Sequence, residues 1–168
     1  MLDEALAQKI ATEAHGDQKY GEKPYTDHLA AVRLVLQDFG YEDEDDICVA
    51  AWLHDTLEDT KYTAEEMECS FGPQVTKLVW AVTGIGKTRK ERNADAYAKL
   101  QQHPAAIPLK LADRISNAEN SARDNPRLLA MYRSEYPEFK RHLLGEVSVA
   151  ARKGPVMSMW DRLDKVLR

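Results

Sequence analysis

The chain has 168 residues, of which 43% are hydrophobic and 30% charged, and its formal net charge is −5. A chain of that length buries a substantial core and suits one domain over residues 1–168. No apolar run reaches the roughly 20 residues of a membrane span, and the negative balance argues against broad nucleic-acid binding. The acidic start, Met1 to Leu6, lacks the basic and apolar regions of a secretory leader, and Cys48 and Cys69 fall in helical patterns. They read as reduced thiols of a cytoplasmic protein.

Helical periodicity dominates in chain order. Leu2, Leu6, Ile10 and Ala14 define a first amphipathic helix ending near His15-Gly16, followed by a polar loop to Pro24. A second helix from about Tyr25 carries His28 in its first turn and Leu29, Val32, Val35, Leu36 and Phe39 on one side. The acidic run Glu42 to Asp46 opens a third helix, where negative charge suits the positive end of the helix dipole. Thr63 to Glu66 has capping-box spacing and starts a short fourth helix, which Gly72-Pro73 separates from a fifth ending near Thr83. Thr83 to Arg92 reads as a basic loop, Asn93 to about Gln102 as a sixth helix, and Ala106 to Ala122 as a seventh. Asn125-Pro126 caps a long eighth helix bearing Tyr132 and Tyr136, with a kink expected at Pro137. A ninth follows Gly154-Pro155. No repeat, linker or alternating strand pattern interrupts this series, so the fold class is all-α with about nine helices.

The stretch Ala50 to Thr60 concentrates the chemistry. Ile47 to Leu53 is apolar without a break, the signature of a helix buried on every side, and His54, Asp55, Glu58 and Asp59 follow it. On a continuous helix His54 stands over Glu58 and Asp55 over Asp59. Ionisable groups at the end of a buried helix are costly unless paired, and a divalent ion would satisfy an imidazole and a carboxylate together. A solvated His-Asp pair at a helix end is the competing reading, and local residues leave the two level.

Two further stretches bear on function. Ala81 to Thr88 nearly satisfies the phosphate-loop pattern, with Ala81 in place of its first glycine. That pattern works only between a strand and a helix in a parallel sheet, which this sequence does not supply, so a flexible basic loop is the better reading. Lys87, Arg89, Lys90 and Arg92 are then either substrate-phosphate contacts or a solvated charge run. Asp113 and Asn117 share a helical face between Leu111 and Ile115.

Ala14-His15 with Gln18, Pro24-Tyr25 with His28, Leu53 to Thr60, Phe71-Gly72 with Val75, Val82-Thr83, and Lys110 to Asn117 occur in this order. In that combination the chain resembles the HD-domain hydrolases of the RelA/SpoT type, in particular the small single-domain alarmone hydrolases. The resemblance implies an HD helical bundle in which His28, His54, Asp55 and Asp113 hold one divalent ion, by family precedent manganese (Mn2+). It implies that Glu58 and Asp59 position and deprotonate the attacking water, and that Asn117 and Tyr132 contact substrate. His15 reads as structural or supporting. Many family members carry Arg-Lys in the loop after His15, serving base and phosphates; this chain has Lys19-Tyr20 and a loop one residue shorter before Pro24. Lys19 is therefore a candidate substrate contact of weaker discrimination.

The activity so implied is removal of the 3′-pyrophosphate from (p)ppGpp or (p)ppApp, with no synthetase-like region. The partner is a small anionic nucleotide, and oligomeric state is not read. The alternatives are an HD phosphatase for another nucleotide such as NADPH, and a catalytically silent nucleotide-binding module.

Overall fold

The computed structural model describes residues 3–145 and 154–168. Among them the chain forms nine α-helices, one 3-10 turn and one hairpin of two-residue strands, an all-α fold.

Helix α1 (Glu4–His15) starts on the Asp3 carboxylate, which accepts the Leu6 N–H. Its buried face is Ala7, Ala11 and His15, one position beyond the Leu6–Ile10–Ala14 stripe that periodicity favours; Leu6 is exposed and Leu2 lies outside the described residues. Alanine lets α1 approach α3 (Asp45–Leu53) closely, which the bulkier neighbouring stripe does not allow. The expected loop before α2 (Thr26–Asp38) contains a hairpin in which β1 (Lys19–Tyr20) pairs antiparallel with β2 (Lys23–Pro24). Strands of that length are too short to show a period in sequence.

The third expected helix is divided. Helix α3 ends at Leu53, His54 and Asp55 form a turn, and α4 covers only Thr56–Asp59. The Thr56 hydroxyl donates to the Leu53 carbonyl (2.7 Å), an alternative to the helical ladder at that point. His54 therefore does not stack over Glu58 along one helix. Conversely, the fourth and fifth expected helices join into α5 (Ala64–Val82), bent where Gly72 takes φ 82°, ψ 174°, backbone that a side chain would strain. Its capping box is complete: Thr63 Oγ1 accepts the Glu66 N–H and Glu66 Oε2 accepts the Thr63 N–H.

Helix α6 (Arg89–Gln102) begins a turn before the expected Asn93, because Thr88 and Glu91 form a second capping box. A 3-10 turn (Pro104–Ala106) leads into α7 (Ile107–Asp124); α8 (Pro126–Leu144) contains Pro137, and α9 (Pro155–Leu167) follows. Helix α3 is buried along its whole apolar run and packs against α1, α2 and α5. Helix α7 packs against α2, α8 and α9. The first turn of α2, the α3–α4 turn and the middle of α7 meet at the floor of one cleft.

Candidate active site

His28 and His54 are each 2% exposed, so both imidazoles belong to the interior. His54 Nδ1 lies 2.8 Å from the Ala51 carbonyl oxygen, which can only accept, so this nitrogen carries a proton. That leaves Nε2 directed at carboxylates, 3.0 Å from Asp55 Oδ2 and 3.7 Å from Asp113 Oδ1. His28 Nε2 faces the same oxygens at 3.5 and 3.4 Å. His54 Nε2 is nonetheless buried without a hydrogen-bond partner. A lone pair facing two carboxylates is repulsive, so the cluster calls for positive charge at its centre.

Without an ion, protons supply that charge. Burial alone would lower the His54 pKa, but Asp55 and Asp113 raise it well above the ordinary histidine value. Burial would raise both carboxylates, yet His54 and His28 hold Asp55 far below the usual range, and Lys110 with the imidazoles does the same for Asp113. A divalent cation answers the same need, and ligand atoms of His28, His54 and Asp55 lie within 4.8 Å of one another. These three residues could hold an ion, and Asp113 adjoins them from α7.

Supporting groups fix the carboxylates. The Tyr25 hydroxyl donates to Asp55 Oδ2 (2.7 Å), while Asn117 Nδ2 and Lys110 Nζ donate to the two oxygens of Asp113 (2.6 and 3.3 Å). The Tyr20 ring stacks on His28 at 4.7 Å between centroids, and its hydroxyl donates to Asn117 Oδ1 (2.8 Å). His15 stacks on Tyr25 and bonds through Nδ1 to Gln18, whose amide donates to Asp59 Oδ2 (2.9 Å). His15 thus stands behind the cleft and braces it.

The cleft, about 280 Å³, is walled by Glu58 and Asp59 on one side and by Arg89, Asn93 and Arg92 of α6 on another. Glu58 Oε2 accepts the Gly84 N–H (3.1 Å) and Oε1 lies 3.3 Å from Arg92 Nε. Burial raises the Glu58 pKa, and the Gly84 N–H and Lys110 only partly oppose it. Arg89 forms a bidentate pair with Glu135 (2.6 and 3.1 Å), which also accepts from buried Arg114 (2.9 Å). Both guanidinium groups lie over the Tyr132 ring. Asn117 and Tyr132 line the cleft, whereas Lys19 and Lys87 are exposed and do not.

The phosphate-loop lookalike is a helix-to-helix connection between α5 and α6, and Val82 is helical. Its glycines serve close packing: a Cβ on Gly84 would stand 2.6 Å from the Arg92 carbonyl oxygen. The loop is pinned by Lys99, whose Nζ donates to the Thr83 carbonyl (2.9 Å) and lies 3.7 Å from the ring centroid of Trp80. Arg114 and Glu135 carry no sequence signal for the site. The start of α6, and with it the placement of Arg89, is missed when Thr83 to Arg92 is read as a loop; the Thr88-x-x-Glu91 spacing is the signal that could have found it.

This fold and cluster define a helical domain with paired His-Asp donors in its interior. The chain matches the family described as "HD domain" over residues 5–135, and it belongs to that family. It is 45% identical over 120 residues to the guanosine-3′,5′-bis(diphosphate) 3′-pyrophosphohydrolase of Aquifex aeolicus, a match covering 67% of this chain and 17% of that protein. The protein of the same name in Danio rerio is 34% identical over 123 residues, covering 70% of this chain and 68% of the relative. The bifunctional (p)ppGpp synthase/hydrolase SpoT of Escherichia coli is 35% identical over 117 residues, 64% of this chain and 16% of that protein. The chain thus spans about a sixth of the long relatives and two thirds of the short one. A solved structure of a metazoan ortholog of SpoT that hydrolyses ppGpp has the same fold, with a TM-score of 0.76 at 23% identity over 98% of this chain and 93% of that one.

Proposed function

We propose that the chain, as one domain over residues 1–168, removes the 3′-pyrophosphate from (p)ppGpp or (p)ppApp in a divalent-metal-dependent hydrolysis. The observation that carries this reading is the buried His28–His54–Asp55 group with an unpartnered imidazole nitrogen, beside a carboxylate of raised pKa. The pyrophosphohydrolase names of the relatives support the substrate class.

His28, His54, Asp55 and Asp113 would hold the ion; two imidazoles with two carboxylates suit a borderline divalent ion, zinc, iron and magnesium among them, and family precedent makes it manganese. When bound, it supplies Lewis-acid charge for the phosphoryl oxygens and acidifies the attacking water. Glu58 takes the proton from that water, its Oε2 fixed by the Gly84 N–H and its basicity increased by burial. Asp59, held by Gln18, orients the water or assists the leaving 3′-oxygen. The bond from the 3′-oxygen to phosphorus breaks, giving pyrophosphate and a nucleoside di- or triphosphate. Arg89, Asn117 and Tyr132 contact the nucleotide; Lys19 and Lys87 reach it only from outside the cleft, as rim charges. With Lys19 there in place of an arginine fork, selectivity for guanine over adenine stays below about a hundredfold, ~2.7 kcal/mol. Among the described residues no helix is long and apolar enough to cross a membrane. Unbridged Cys48 and Cys69 support a cytoplasmic setting.

The test is a product assay of manganese-loaded protein on ppGpp, ppApp and NADPH. Pyrophosphate release from the first two is expected. Turnover of NADPH alone would move the assignment to a nucleotide phosphatase, and tight binding without turnover would make the chain a silent module.

A further inference from the structure

Beside the cleft lies a second cavity, a groove of about 580 Å³ between α2 and α7. Its lining includes Ala30, Ala31 and Leu34, and both signs of charge: Arg162 is paired there with Asp38 and Glu119, and Lys23, Arg123 and Asp27 also face it. Tyr20 and His28 are the two residues that line both cavities. Tyr20 is held in that position three ways. Its ring stacks on His28 (4.7 Å), its edge meets Tyr25 (6.1 Å, 85°), and its hydroxyl reaches Asn117 on α7 (2.8 Å). The hairpin that carries it closes by the Lys19–Pro24 and Tyr20–Lys23 pairings, so the ring stands on a short, paired support. His28 cannot move aside, because it is buried and faces Asp55 and Asp113. Of the two shared residues, Tyr20 is the less buried and the one carried by the hairpin, so its ring is the partition between the two spaces.

The geometry points to Tyr20 as a specificity-determining residue, a wall between the cleft and the α2–α7 groove that restricts the site to compact nucleotides and rejects those extended by a second nucleoside. This rests on the reading of the cleft as a nucleotide site. The cleft volume lies at the lower edge of the roughly 300–1,000 Å³ typical of small-molecule sites, and the wall keeps the groove from enlarging it. A ring stacked on a histidine, met edge-on by a tyrosine and bonded through its hydroxyl yields less readily than a flexible side chain.

The test compares wild type, Tyr20→Phe and Tyr20→Ala, all manganese-loaded, with ppGpp as the compact nucleotide and NADPH as the extended one. Calorimetric dissociation constants and kcat/KM are measured for both. Tyr20→Ala is expected to shift the NADPH-to-ppGpp preference toward NADPH by at least about tenfold. Tyr20→Phe keeps the ring and loses the hydroxyl, and its preference should stay within about twofold of wild type. Thermal melting identifies any variant that is unfolded, and Tyr20→Leu, which shortens the wall without removing it, then takes the place of Tyr20→Ala with a smaller shift in the same direction. An unchanged preference in the alanine or leucine variant overturns the wall, whatever the activity. An equal shift in Tyr20→Phe also overturns it, since the hydroxyl would then set the preference. If the wild type binds but hydrolyses neither nucleotide, the proposed activity fails while the binding ratio still decides Tyr20. Binding of neither nucleotide to any variant overturns both.

Discussion

Glu58 is held at both oxygens, by the Gly84 N–H and by Arg92, and glutamine keeps its shape while losing its basicity. Glu58→Gln should therefore retain metal content and ppGpp affinity while kcat falls by about 10²–10⁴. The sign of the pH dependence follows from burial. A base must be ionised, and the Glu58 pKa is raised, so wild-type kcat declines as pH falls through a midpoint above the ordinary glutamate range. The variant should lack that limb; an unchanged rate profile would remove Glu58 from the role. At this scale the sequence was informative wherever donors are neighbours in the chain. His54, Asp55, Glu58 and Asp59 fall within a few positions and announce themselves. Glu135 does not, because its partners Arg89 and Arg114 lie 46 and 21 positions away and nothing local marks the pairing. In sequence Tyr20 is only a departure within a loop, because its stacking on His28 depends on a hairpin too short to read.

The elements carry the site through their ends. Helix α6 begins at its Thr88 cap, and the preceding loop passes so near its first turn that Gly84 has no room for a side chain. Gly84→Ala should push the loop from Arg92 and withdraw the N–H from Glu58. Misplacement by about 1 Å can cost roughly 10²-fold in rate, so kcat should drop by one to two orders of magnitude with metal content intact. A wild-type rate would show that the loop relaxes freely. Helix α8 contributes Glu135, whose pKa burial would raise but Arg89 and Arg114 lower. A depressed folded pKa gives stability that is present above the unfolded value and lost as pH falls through the folded one. Glu135→Gln should destabilise by roughly 1–3 kcal/mol at neutral pH, with the difference from wild type shrinking below about pH 4; urea titrations at both pH values measure it. The elements were largely legible, from caps and apolar periods. The exceptions have physical causes: Thr56 breaks the ladder after Leu53, and Gly72 bends a helix without ending it.

Over the whole molecule, the candidate donors come from α2, the α3–α4 turn and, with the proposed Asp113, α7, so they converge only in the folded chain. An ion that binds the folded state alone, at about a hundred times its Kd, adds roughly 2.7 kcal/mol. For a chain of this size that raises Tm by about 5–10 °C. Manganese should produce that rise and a chelator should reverse it, while His54→Ala should abolish the response. A Tm indifferent to both would mean that the cluster is satisfied by protons alone.

The same pinned loop gives the molecule an optical handle. Of the three tryptophans, Trp52 and Trp160 are buried, while Trp80 is 41% exposed and lies under the Lys99 ammonium. Lys99 also holds the Thr83 carbonyl where the chain leaves α5 for the glycine loop. A ligand that drew Arg92 or Gly84 inward would pull on this attachment and change the charge above the indole. Emission from Trp80, isolated by comparison with a Trp80→Phe control, would then follow loop movement in real time, before any product is released.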